Sequence, residues 1–107
     1  MKSVEKKLKE LDEAYELAIR ICGELAYDFI KLKNSNKSEH NVIKRQILTY
    51  AMRKNGVPLI IIAELLDCSH CTLVYSEKTI SNILANRHDV DVEVFRAVHH
   101  LKVQGII

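Results

Sequence analysis

Tryptophan is absent, proline occurs once and glycine three times in 107 residues. So few breakers cannot punctuate many short strands, and the Leu, Ile, Lys, Glu and Ala that fill the intervals favour long helices. No apolar run of about 18 residues occurs, which excludes a membrane-spanning helix. No charged-then-apolar leader with a small-residue cleavage site opens the sequence, so a cytoplasmic location is the expectation. Neither sign of charge dominates. The net charge is +2 and the pI near 8.4, short of the values of a very basic nucleic-acid binder. Cysteines are few and odd in number, namely Cys22, Cys68 and Cys71, which argues against a disulfide framework and for reduced thiols, with Cys22 as a core filler.

What is present is a 48% hydrophobic fraction, enough to bury one modest core in a chain of single-domain length. Charge is unevenly spread. Residues 31–55 hold seven basic side chains and one acidic one, +6, against −2 in the segment on either side. A block of that kind is either a solvated face or a phosphate-facing surface.

From Val4 the apolar residues Val4, Leu8, Leu11, Tyr15, Ala18, Cys22, Leu25, Phe29 and Leu32 alternate steps of four and three. This heptad stripe predicts one amphipathic helix from Ser3 to Lys33, about 45 Å long at 1.5 Å per residue. Ile19, Ile21, Ala26 and Ile30 widen its apolar face toward the C-terminal half, which is expected to pack on the domain or on a partner helix, while the charged N-terminal half projects. A coiled coil and intramolecular packing both fit, so residues 1–33 are read as an arm and residues 34–107 as the domain proper.

Asn34 to Asn41 is polar and rich in cap residues, the loop between the first helix and a second from Val42 to Lys54. On that helix Ile43, Ile47, Tyr50 and Ala51 share a face, with Leu48 and Met52 beside it and Lys44, Arg45 and Arg53 directed elsewhere. Gly56 suits a left-handed helix end and Pro58 the first turn of the next helix. Leu59 to Leu66, with Glu64 as its one charge, is too short to stand alone and too apolar to be exposed. A tight turn, Asp67-Cys68-Ser69-His70, follows. Ser69 is the expected N-cap of a helix from His70 to Ala85 whose buried stripe is Leu73, Ser76, Ile80, Ile83 and Leu84. After a loop from Asn86 to Val90, Asp89 or Asp91 caps a last helix to Gln104 on the stripe Val94, Ala97, Val98 and Leu101, and Gly105 ends it.

A short buried helix, a turn of about four residues and a helix with a polar outer face have the spacing of a helix-turn-helix, whose second helix enters the major groove. Arg45-Gln46-Ile47 through Tyr50 and Arg53, Ile61-Ile62-Ala63-Glu64-Leu65, His70-Cys71-Thr72-Leu73-Val74 and Lys78-Thr79-Ile80 occur in one order. Over Lys37 to Leu84 this resembles the C-terminal DNA-binding domain of the bacterial replication initiator DnaA, of the Trp-repressor-like superfamily. In that family an Asp-His-Thr-Thr-Val run opens the recognition helix, and an Ile follows the Val by seven residues. Here Ser69-His70-Cys71-Thr72-Leu73 stands in that place and Ile80 at that distance.

The expected fold is all-α: the long N-terminal helix and the C-terminal helix read from their apolar stripes, with the helix-turn-helix bundle that the resemblance implies between them. The resemblance also implies double-stranded DNA as partner, with Ser69, His70, Cys71 and Thr72 at the recognition helix's start, Tyr75 and Asn82 on the same face, and Lys78 on a phosphate. Lys44, Arg45, Arg53 and Lys54 of the basic block are the further phosphate candidates. Lys37 stands where the family has an arginine-rich minor-groove loop, although a lysine lacks the planar fork of arginine. Ser69 replaces the family's Asp, keeping the cap but not the acceptor for a cytosine amino group, and Cys71 replaces a Thr hydroxyl. No Gly-x-x-x-x-Gly-Lys-Ser/Thr loop occurs, so the initiator's nucleotide-binding motor is not in this sequence.

Cys68 and Cys71 have the spacing of a zinc knuckle, with His88, His99 and His100 as further candidates, but no second ligand pair at fixed spacing accompanies them. They are read as a turn with one semi-buried thiol and one exposed thiol. His99 and His100 diverge on a helix and are read as surface. Cys71 and His70 have no third group to orient them, so catalysis is not expected. The expectation is therefore a non-enzymatic accessory or regulatory DNA-binding protein of replication or transcription, of the kind a phage or mobile element carries. It needs no metal, cofactor or small-molecule substrate, and a homo-oligomer through the first helix is its other partner. The rival is a helical interaction or structural protein that keeps the helix-turn-helix only as a scaffold.

Overall fold

The computed structural model describes residues 2–33, 39–86 and 91–107. Over these the fold is all-α: α1 (Lys2–Leu25), α2 (Phe29–Leu32), α3 (Glu39–Lys54), α4 (Leu59–Leu66), α5 (His70–Ala85) and α6 (Val92–Val103). Among the described residues no single helix is long and apolar enough to cross a membrane.

The single helix expected from Ser3 to Lys33 is instead two. Ala26 takes a left-handed conformation (φ 57°), Tyr27 N–H donates to the Cys22 carbonyl at 2.8 Å and Ala26 N–H donates to the Gly23 carbonyl at 3.4 Å. These two bonds close α1 in a Schellman turn, with Ala where Gly is usual. Asp28 then caps α2, its carboxylate accepting from Ile30 N–H at 3.1 Å. The break turns Phe29 and Leu32 into the core while Ile30 faces outward.

Only the second half of the heptad stripe is covered. Ala14, Ala18, Ile21 and Cys22 are buried, whereas Val4, Leu8, Tyr15 and Ile19 are exposed. The buried half shares one cluster with Phe29 and Leu32 of α2, Met52 of α3, Leu66 of α4, Leu73 of α5, and Leu101 and Ile106 at the C-terminal end. The C-terminal half of α1 is thus built into the same core as residues 39–86 and 91–107. Burial reinforced by the Asp28 charge pushes the Cys22 thiol up to about 11. Burial first, then Glu93, Cys22 and Asp91, raises Tyr27 well above the ordinary tyrosine range.

The centre of the fold is α3, which begins at Glu39 rather than Val42 and packs against α1, α2, α4, α5 and α6. Residues 45 to 52 are buried without interruption, including Thr49, whose hydroxyl donates to the Arg45 carbonyl at 2.9 Å. A helix surrounded on all sides has no outer face for that stretch. Beyond it, Gly56 takes φ 80°, and the carbonyl of Pro58, at the N-cap, accepts from Ile61 and Ile62. The second cluster joins Ile47 and Tyr50 of α3 to Ile80 of α5 and to Val94, Ala97 and Val98 of α6. Asp91 caps α6, accepting from Val94 N–H at 3.2 Å, and His100 ties α6 to α1 through Glu24 at 2.9 Å.

Candidate nucleic-acid interface

The interval from α4 to α5 matches the sequence expectation in both helix spans and in the cap. Asp67 closes α4 in a left-handed conformation (φ 54°, ψ 50°), and three residues later the chain leaves on a new axis, bent by 106°. Ile61, Ile62 and Leu66 bury α4. On α5, Leu73, Ser76 and Ile80 face the core, chiefly against α3, and Ser76 donates to the Thr72 carbonyl at 2.8 Å. Each fully buried Leu or Ile contributes about 1.5–3 kcal/mol, so the inner face of α5 fixes which residues point outward.

Ser69 holds the start of α5. Its Oγ accepts from Thr72 N–H at 3.2 Å and lies 2.8 Å from Thr72 Oγ1, so the cap hydroxyl and the Thr72 hydroxyl form one pair. Behind the turn lies Arg45. It is 7% exposed, and its guanidinium interacts with Cys68, whose thiol burial raises while Arg45 partly offsets the rise. Cys68 itself donates to the Leu66 carbonyl at 3.4 Å. Arg45, expected from the sequence to point away from the core, instead sits on the enclosed stretch of α3 and braces the turn from beneath.

The outward stripe of α5 runs through Cys71, Val74, Tyr75, Lys78, Ser81 and Asn82, with His70 and Thr72 exposed at its N-terminal end. Tyr75 is 66% exposed on it. Glu77, the only acidic residue of α5, is bonded to Arg53 of α3, Nε to Oε2 at 3.3 Å. The stripe thus presents hydroxyl, amide, imidazole and phenol groups, the Cys71 thiol and the Val74 side chain, with one cation and no outward carboxylate of its own, although Asp67 is exposed in the turn before it. Sequence reasoning does not single out Val74 or Ser81, yet the helical period counted from Cys71 places both on this face.

The basic block does not form one continuous surface. Lys31 and Lys33 are exposed around α2, Lys44 lies 5.2 Å from the Tyr27 ring centroid and Lys54 5.3 Å from that of Tyr50. Such placement over an aromatic face restrains an ammonium without neutralising it. Lys44 and Lys54 are about 15 Å apart along α3, at 1.5 Å per residue. Arg53 is half-buried, donating to both Glu77 and the Val57 carbonyl. Lys37 and His88 lie outside the described residues. Among the described residues no three His, Cys, Asp or Glu side chains are grouped to hold a metal ion.

Compared with protein-family models, with curated proteins and with solved structures, the chain matches none.

Proposed function

We propose that this chain is a non-enzymatic accessory or regulatory protein of replication or transcription that binds double-stranded DNA, with α4 and α5 as its helix-turn-helix. The observation that carries the reading is the pairing of a 106° bend with an α5 whose outward stripe is polar and whose one acidic residue is bonded to Arg53. A helix about 10–12 Å across fits a major groove about 12 Å wide, provided no carboxylate meets the phosphates. The likeness of Lys37 to Leu84 to the DnaA C-terminal DNA-binding domain supports the same assignment.

In this reading His70 and Thr72 meet base edges at the start of α5, and Tyr75 and Asn82 follow along the groove. Lys44, Lys54 and Lys78 meet phosphates. Arg45 and Ser69 position the turn rather than touch DNA. Thr72 shares its hydroxyl with Ser69, so its methyl group is the part left for a thymine methyl.

One observation favours the rival, a helical interaction protein that keeps this pair as a scaffold. Burial of Arg45 and engagement of Arg53 leave fewer cations available than the sequence suggested. Duplex binding measured across a salt series separates the two. Three phosphate contacts give a slope of log K against log salt of about −3 per bound protomer, roughly a 40-fold loss of affinity from 50 to 200 mM. Absence of binding at low salt, or a slope near zero, favours the scaffold.

A further inference from the structure

The N-terminal half of α1 carries an apolar strip that the fold leaves uncovered. Val4, Leu8 and Tyr15 are 61%, 57% and 49% exposed, and Ile19 extends the strip. All four lie within about 60° of one another around the helix. Val4 and Leu8, with half-buried Leu11 between them, border a groove of about 500 Å³ whose far wall is Glu64 of α4, while Tyr15 at the end of the strip rests one ring edge against Phe29, centroids 5.6 Å apart.

We propose that this strip is the seam of a parallel two-stranded coiled coil with a second copy of this chain. The seam positions are Val4 and Leu11 at d, Leu8 and Tyr15 at a. This register puts Lys7 at g and Asp12 at the following e, the two positions that meet across a parallel pair, and the twofold axis makes the contact twice. An antiparallel pairing of Val4 on Tyr15 and Leu8 on Leu11 sets Glu5 of one copy beside Asp12 of the other, twice along one edge, and leaves Lys7 facing only Ala14 along the other. The charge pattern therefore selects both the occupant and its direction.

Lys7 is held at the rim. Its Nζ lies 2.6 Å from Glu64 Oε1, with both side chains nearly half exposed, and an ammonium has two further donors for a partner carboxylate. Asp12 makes no ion pair among the described residues. Past Tyr15 the stripe turns into the chain's own core at Ala18 and Cys22, so the coil is about two heptads long and the dimer is concentration-dependent.

The test uses the whole chain without DNA, so its outcome is independent of the DNA-binding reading. Sedimentation equilibrium is expected to show the mass of two chains rising with concentration, and one chain for Leu8→Asp at unchanged helicity. Lys7→Glu and Asp12→Lys each weaken self-association, and mixing the two variants restores it, because the carboxylate introduced in one then meets the ammonium introduced in the other. In a Cys71→Ser background, Val4→Cys is expected to form a disulfide with its own counterpart, and adding Leu8→Asp abolishes that link. A wild type that stays monomeric, or variants that associate no better mixed than apart, overturns the proposal; a Val4→Cys chain that dimerises without cross-linking overturns the parallel direction.

Discussion

Arg53 of α3 and Glu77 of α5 face one another, Nε to Oε2 at 3.3 Å, with each side chain about one-third exposed (32% and 36%). The pair joins the central helix to the outward-facing one and binds the only carboxylate of α5 on its own protein.

Glu77→Gln is accordingly expected to tighten duplex binding while costing stability little. Partly exposed pairs contribute roughly 0.2–1 kcal/mol, and the substitution releases the Arg53 guanidinium from its carboxylate, adding one cation for phosphate. Thermal melts and a salt series together check this. A drop in affinity with an unchanged melt contradicts it.

Arg45 and Lys54 lie on the same helix, yet opposite signatures are expected of them. Arg45→Met should destabilise the fold by about 1.5–3 kcal/mol, the range for a hydrogen bond to a charged group, and leave the salt slope of the folded protein unchanged. Lys54→Ala should leave the melt nearly unchanged and make the slope shallower by about one. Denaturant titration beside the binding series distinguishes them.

Ser69→Ala removes the acceptor for Thr72 N–H and is expected to cost about 1 kcal/mol in urea unfolding. Ser69→Asp keeps the cap and adds a favourable negative charge at the helix start, so it should be at least as stable as the parent. Equal loss in both variants would show that Ser69 acts otherwise than as a cap.

Alkali should destabilise the fold through Cys22 and Tyr27. In each the neutral form is the one favoured by burial, so the folded group holds its proton to higher pH than the unfolded one. For Cys22 the stabilisation is complete below the ordinary value of 9.0 and falls away as pH rises through about 11. Tyr27 adds a loss of the same sign that starts higher. Urea midpoints measured between neutral and alkaline pH should fall across this window, and the fall should be smaller in Cys22→Ala and in Tyr27→Phe.

The α4–α5 interval is legible in the sequence because its determinants are local: Gly56, Pro58, the apolar run and the Ser69 cap mark its boundaries within a few residues of where they act. The break at Ala26 is hidden, since Phe29 and Leu32 continue the four-three spacing across it and the end residue is Ala rather than Gly. Asp28, a good cap ahead of Phe29, is the one signal of it. The inward direction of Arg45 is not legible from charge, because it follows from α3 being enclosed by five other helices. Ile106, just beyond Gly105, returns to the core through a bond from its N–H to the Leu101 carbonyl at 2.9 Å, a tertiary placement that two terminal isoleucines do not announce.

Whether the outward stripe of α5 reads duplex DNA is decided by selection from a random duplex pool. The wild-type chain is expected to enrich a defined site. His70→Ala with Tyr75→Ala, at an unchanged melt, is expected to lose at least about tenfold in affinity for it, since a base-edge contact contributes about 1–3 kcal/mol. Retention of no duplex at low salt, or enrichment of the same site by the double variant, would refute that role for α5.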